Sequence, residues 1–121
     1  MTAAENTEQI LREFALEYPE AHEDFPWGSR VIKVRGKIFF TVNSTEEGLV
    51  VTMKLPESGK AALKMDNAEP THYGMGKHGW VTVRFDVDEE PDMDLLTGWM
   101  DESYRVIALK RLVKELDAQE E

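Results

Sequence analysis

Hydrophobic residues recur at helical spacing near both ends of the chain. In the N-terminal segment the repeat runs from Ile10 to Tyr18, and Asn6 or Thr7 can cap its start. Pro19 disfavours helical backbone at the residue before it. We therefore predict a first helix that starts at Asn6 or Thr7 and ends at Pro19.

The second helical repeat runs from Asp101 to Asp117. Its inner face is marked by Val106, Leu109, Val113 and Leu116. Acidic residues lie at its start and basic residues near its end, as the helix dipole favours. Asp92 to Trp99 can form a short preceding helix, which Gly98 would interrupt.

Strand patterns fill the region between these helices. The segment Arg30 to Asn43 is rich in β-formers, and Arg35-Gly36 breaks it, which is typical of a β-hairpin. Leu49 to Lys54 predicts a third strand. Apolar and polar residues alternate from Trp80 to Phe85, as in a half-buried strand.

The connecting segments are rich in turn-forming residues. We predict a loop from Glu20 to Gly28, a short helix over Lys60 to Met65, and turns from Ala68 to Gly79 with a short strand at His72-Tyr73. The order of elements predicts an α+β protein, an antiparallel β-sheet meander with N- and C-terminal helices packed on one face. No repeat or linker divides the sequence, so we expect one domain over residues 1–121.

Composition narrows the classes of function. The chain has 121 residues and no cysteine, which excludes disulfides, cysteine-ligated zinc, iron–sulfur clusters and thiol nucleophiles. No secretory signal or run of about 20 apolar residues is present, so we expect a cytoplasmic protein with no membrane partner. The sequence contains no P-loop, dinucleotide fingerprint, nucleophile elbow or H-E-x-x-H, and we predict no catalytic residues and no cofactor.

Charge is distributed unevenly along the chain. The net charge of −10 is unlike that of a generic nucleic-acid binder, which carries an obvious basic patch. However, residues 28–85 hold nine basic and five acidic side chains, whereas both flanking segments are strongly acidic. Any anion-binding surface should therefore come from the middle of the chain.

Two segments there are candidates. The hairpin carries Arg30, Lys33, Arg35 and Lys37, and a basic ribbon can enter a groove or lie along phosphates. The alternative is an exposed hairpin with solvated charges, and the sequence does not fix which of these residues share a face.

The second candidate is the glycine-rich segment Gly74 to Trp80. Lys77 and His78 can offer donors to an anion, and Trp80 can stack on a base. The alternative is a tight turn that leads into a strand, with Trp80 packed on a helix.

Metal binding is a further alternative. A ridge of carboxylates lies along and just after the first helix, and it consists of Glu13, Glu17, Glu20, Glu23 and Asp24. Such clusters can bind hard cations or iron, although a solvated helix face gives the same pattern. His72 and His78 match no standard ligand spacing, so we predict no metal ligands.

Four segments together resemble the MmcQ/YjbR family. They are Tyr18–Gly28 (YPEAHEDFPWG), Val31–Phe39 (VIKVRGKIF), Gly76–Val83 (GKHGWVTV) and Glu102–Tyr104 (ESY), in order along nearly the whole chain. The resemblance implies a frataxin-like (CyaY-like) α+β fold, described as a double-wing arrangement, and a predicted DNA-binding activity. It supplies no catalytic residues.

We therefore interpret the chain as a non-enzymatic binding module that binds DNA weakly and in a salt-sensitive manner. The hairpin bases would contact phosphates, and Lys77, His78 and Trp80 would form a second contact region. The alternatives are a protein–protein adaptor, using the glycine-rich loop or the acidic helix, and a frataxin-like metal binder using that helix. We expect a monomer.

Overall fold

Six strands form one antiparallel sheet in the spatial order β1-β2-β3-β4-β6-β5. The strands are β1 (Ala21–Asp24), β2 (Val31–Val34), β3 (Lys37–Ser44), β4 (Gly48–Lys54), β5 (Ala68–Pro70) and β6 (Trp80–Asp86). The computed structural model describes residues 1–72 and 74–120, and of Trp27 and Glu120 it describes the backbone only. The meander is interrupted once, because β6 lies between β4 and β5.

The helices pack on one face of this sheet. They are α1 (Ala3–Leu16), α2 (Gly59–Ala62), α3 (Met93–Ile107) and α4 (Lys110–Glu120). The sheet register aligns Val42, Val51 and Val83 in one row, and all three are fully buried beneath α1 and α3. The predicted α+β architecture, with terminal helices on one face of an antiparallel sheet, is confirmed. In the described part of the chain, no helix is both long enough and apolar enough to span a bilayer.

A bulge at the β2–β3 pairing explains how two consecutive phenylalanines are buried. Ile32 pairs with Phe40 but Lys33 pairs with Ile38, so Phe39 is an extra residue on β3. The Phe39 ring packs at 5.1 Å from that of Tyr104 and 5.7 Å from that of Tyr18, measured between centroids.

The first helix starts earlier than predicted. Thr2 is its N-cap, the Thr2 hydroxyl accepts from the Glu5 amide at 3.1 Å, and the Glu5 carboxylate accepts from the Thr2 amide at 3.0 Å. This capping box satisfies the free amides at the start of the helix and holds the pKa of Glu5 below its usual value. Asn6 and Thr7 therefore lie inside α1.

The predicted continuous helix over residues 101–117 is wrong. The helix α3 runs through Gly98 and ends at Ile107, and its C-cap Ala108 has an extended backbone. Arg105 reaches Asp117 at 2.8 Å, although 12 residues of straight helix would separate them by about 18 Å. The chain thus folds back, which buries Leu112 and Leu116 and leaves Val106 and Leu109 exposed.

Smaller differences follow from pairing across the sheet. Residues Ala21–Asp24, predicted as a loop, form the edge strand β1 against β2. The short strand predicted at His72-Tyr73 lies instead at Ala68–Pro70, and Tyr73 falls outside the described residues. The helix predicted over Lys60–Met65 is the single turn Gly59–Ala62.

Candidate nucleic-acid interface

The face of the sheet opposite the helices carries polar and basic side chains. Neighbours in a strand point to opposite faces, and Met53 and Val81 are buried under the helices. Lys54 and Trp80 therefore point the other way, onto what we call the open face, and the register pairs them directly. The same alternation places Lys33 there, because its neighbours Ile32 and Val34 are buried.

One end of this open face brings together two of the predicted contact residues, Lys33 and Trp80. Lys33 pairs with Ile38 on the neighbouring strand, and the Phe40–Met53 pairing brings Ile38 and Lys54 to the same end of the sheet. We call the row formed by Lys33, Ile38, Lys54 and Trp80 the basic row. All four side chains are partly exposed.

Arg30 does not belong to this surface. Its guanidinium lies toward α1, where it binds Glu8 at 2.9 Å and Glu23 at 2.6 Å, and its side chain is 18% exposed. It also lies over the Phe25 ring, 5.1 Å from the centroid. Arg30 therefore fastens α1 to the sheet, and its charge is already neutralised.

Lys33 lies on the open face and is paired there. Its ammonium binds the Asp24 carboxylate at 2.9 Å, and this contact is the main reason that the pKa of Asp24 lies below its usual value. Lys33 can bind a phosphate only if its ammonium is shared with Asp24 or if the ion pair with Asp24 breaks.

The turn between β2 and β3 is tied to the helical side of the molecule. Arg35 and Gly36 both have positive φ, of 50° and 81°, as a tight two-residue hairpin turn requires. Arg35 binds Glu20 at 3.1 Å, and Glu20 also binds Arg111 of α4 at 3.0 Å. The turn is thus not a freely projecting wing.

Lys37 begins β3 directly after this turn. It is exposed, and within residues 1–72 and 74–120 the structure gives it no ion-pair partner. Lys37 is therefore the hairpin base most available to an anion. However, it pairs with the buried Val34 and lines a small pocket beside Ile107 and Ala108, so it lies on the helical side and not on the open face.

The glycine-rich segment is a tight turn beside the basic row. Met75–His78 forms one 3-10 turn between Gly74 and Gly79, both in left-handed backbone. A Cβ on Gly76 would lie 2.6 Å from the Pro70 side chain, so this turn packs closely on β5. Lys77 and His78 are exposed next to Trp80. The segment is therefore a tight turn that leads into a strand, as one of the two interpretations held. Trp80, however, lies on the open face and not on a helix.

The acidic ridge is largely neutralised by basic side chains. Glu23 accepts from Arg12 through two bonds of 2.8 Å, and its hydrogen bond with Arg12 is the main reason that the pKa of Glu23 is lowered. Glu20 and Asp24 are paired as described above. Among the described residues, no three histidines or carboxylates are arranged to hold a metal ion.

An open groove of about 480 Å³ lies on the helical side, between α1, α3 and α4. Phe14 and Tyr18 form an aromatic wall, and Glu17, Asp94 and Asp101 supply carboxylates. Asp101 accepts from the Tyr18 hydroxyl at 3.0 Å and from Arg105 at 2.6 Å. The acidic lining makes this groove unsuited to an anionic ligand.

Lys54 was not among the residues singled out from the sequence. Alternation within Leu49–Lys54 puts it opposite the buried Met53, which was a usable signal. Its position beside Trp80, however, depends on pairing between strands that are about 30 residues apart, which the sequence does not reveal.

The Glu102-Ser103-Tyr104 segment that contributed to the family resemblance has a structural role. Ser103 is fully buried, donates to the Phe39 carbonyl at 2.6 Å and accepts from the Lys54 amide at 2.9 Å. The hydroxyl group of Tyr104 donates to the Pro19 carbonyl at 2.8 Å, and burial raises the pKa of Tyr104 to about 12.

Glu102 completes the same anchoring. Its carboxylate accepts from the amides of Glu57 and Ser58, both at 3.0 Å, and from the Ser58 hydroxyl at 2.5 Å. Together the three residues fix α3 to the β3 bulge, the end of α1 and the loop after β4.

Comparison with solved structures supports the same architecture. A Deinococcus radiodurans protein with a DUF419 domain superposes with a TM-score of 0.70 at 26% identity, covering 90% of this chain and 86% of its own. A Pseudomonas syringae protein superposes with a TM-score of 0.63 at 17% identity, covering 83% of this chain and 97% of its own. No curated protein matches the chain. Residues 16–106 match the YjbR family, three-quarters of the chain, and the protein therefore belongs to the YjbR family.

Proposed function

We propose that this protein is a non-enzymatic DNA-binding module whose contact surface is the basic row with the adjoining Lys77 and His78. The observation that carries the proposal is the gathering of these side chains at one end of the open face. They come from three separate segments of the chain.

Segregation of charge makes the proposal compatible with the net charge of −10. Many of the acids lie on α1, α3 and α4, on the opposite side of the sheet. A helix is about 10 Å thick, so acids on its outer surface lie at least that far from a phosphate on the open face. That distance equals about one Debye length at 0.1 M salt, so their repulsion is largely screened.

The surface is small, and affinity should accordingly be weak. Lys54 and Lys77 have no ion-pair partner in the described part of the chain, whereas Lys33 must share its charge with Asp24. With roughly two or three phosphates neutralised, the logarithm of the binding constant should fall against the logarithm of salt concentration with a slope of about −1 to −3.

Fluorescence anisotropy of labelled DNA at several salt concentrations tests the proposal. We expect salt-sensitive binding that falls at least about tenfold when Lys54→Glu and Lys77→Glu are combined, because two phosphate contacts become repulsive. The matched control combines Lys64→Glu and Lys114→Glu, which change the net charge equally at exposed positions outside the surface.

Two results would contradict the proposal. One is equal loss of affinity in both double variants, since net charge alone would then explain it. The other is absence of binding to any DNA at low salt.

A further inference from the structure

We infer that the open face binds a single strand rather than a duplex, with a base stacked on Trp80. The inference deepens the proposed function and depends on it. It follows from the shape of the surface, the side chains in the basic row and the packing beside that row.

The shape of the surface disfavours a duplex. Six strands spaced about 4.8 Å apart form a surface roughly 24 Å wide, whereas the major groove is about 12 Å wide. The open face therefore cannot enter a groove. The hairpin turn that could do so is tied back through Arg35, Glu20 and Arg111.

The basic row offers what an unpaired nucleotide needs. Its four side chains lie on adjacent strands and span about 14 Å. Trp80 is partly exposed and stands directly beside Lys54 in the register. A base can stack on the indole while the neighbouring ammonium meets its phosphate, a combination available only when the bases are unstacked from a duplex.

Hydrogen bonds fix a row of threonines beside the indole. The Thr82 hydroxyl lies 3.2 Å from that of Thr52 and 2.9 Å from that of Thr71. Thr52 and Thr71 are partly exposed, whereas Thr82 between them is only 5% exposed. Because they are already fixed, a bound strand would have little side-chain freedom to immobilise there.

The glycine-rich turn lies at one end of the basic row. The Gly79 carbonyl accepts from the Leu55 amide at 2.8 Å, and this hydrogen bond fixes the turn to the residue that follows β4. Lys77 and His78 are exposed on this fixed turn, immediately before Trp80. They can meet the phosphates that flank a base on the indole.

The test compares labelled 12-nucleotide oligothymidylate with a 12-base-pair duplex at low salt. We expect tighter binding of the single strand. Trp80→Ala should weaken that binding about tenfold to a hundredfold, while Trp80→Phe should restore most of it because the stacking surface is retained. Circular dichroism of each variant checks folding, and Trp80→Phe keeps the test decisive where Trp80→Ala is unstable.

The outcomes separate this inference from the proposed function. Equal or tighter binding of the duplex, or undiminished single-strand binding by folded Trp80→Ala, would overturn the single-strand inference while the lysine variants still support DNA binding. Binding of neither oligonucleotide would overturn both.

Discussion

Glu23 helps to join α1 to the sheet. Its carboxylate accepts from Arg12 and Arg30, and Arg30 is shared with Glu8. Glu8 in turn accepts from the amide and hydroxyl of Ser44 on β3. The pKa of Glu23 is lower in the folded chain than in an unfolded one, so its ionised form favours folding.

We expect Glu23→Gln to lower the free energy of unfolding by about 1–2 kcal/mol at pH 7, because it weakens three charge-assisted hydrogen bonds, two from Arg12 and one from Arg30, that are partly exposed to solvent. The Glu23 contribution is complete above the unfolded carboxyl pKa of about 4.3 and is lost as pH falls through the lower folded value. Urea denaturation at pH 7 and pH 3 measures both effects.

The control for this prediction is Glu13→Gln, which changes an exposed carboxylate that has no basic partner within the described ranges. The difference between Glu23→Gln and the wild type should shrink toward pH 3. A constant difference across this range would contradict the assigned role.

At this scale the sequence identified charged side chains but not their partners. Arg30 and Lys33 look alike in the sequence as members of a basic hairpin. Arg30 is bonded to Glu8, which lies 22 positions away, whereas Lys33 lies on the opposite face. Alternation explains the different faces once the register is known, and the register came only from strand pairing.

Among the elements, β4 depends on a glycine at its first residue. Gly48 has a φ of 146°, and a Cβ there would lie 1.9 Å from the Phe85 carbonyl oxygen. Gly98 is the opposite case, because it lies within α3 and a Cβ there meets nothing within 4 Å.

This contrast gives a paired prediction. Gly48→Ala should destabilise the fold by about 3 kcal/mol or more through strain and overlap with the backbone of β6. Gly98→Ala should stabilise it by about 0.5–1 kcal/mol, because alanine has the higher helix propensity. Thermal denaturation of the two variants measures these shifts, and a similar change in both would contradict the assignment.

The same elements show why parts of the secondary structure were predictable. The strands from residue 31 to 54 and from residue 80 to 86 follow local alternation and β propensity, and they lie close to where the sequence placed them. The prediction of one continuous C-terminal helix was wrong because the hydrophobic periodicity continues across Ala108. Burial of Leu112 and Leu116 outweighs the continuity of one long helix, and that gain appears only when α4 packs against the rest of the fold.

At the scale of the whole molecule, α1, α3 and α4 contribute to one continuous core with the sheet. Leu112 of α4 is fully buried, although it lies beyond the segment that matches the family. We therefore predict one cooperative unfolding transition, in which α4 does not detach separately.

Leu112→Ala should lower the free energy of unfolding by about 2–5 kcal/mol. It should shift the far-ultraviolet and near-ultraviolet circular dichroism transitions together in urea. Lys114→Ala, at an exposed site on the same helix, is the control and should change stability little. Two separated transitions would contradict a single folding unit.

The sequence by itself determined the fold class, the family resemblance and the basic centre of the chain, because these follow from local periodicity and composition. Only the tertiary structure decided which charges are available. It paired Arg30 and Arg35 with acids from elsewhere in the chain, and it aligned Lys54 with Trp80 on the open face. The physical reason is that a charge's partners and the side chains across a sheet are set by long-range packing, which adjacent residues do not encode.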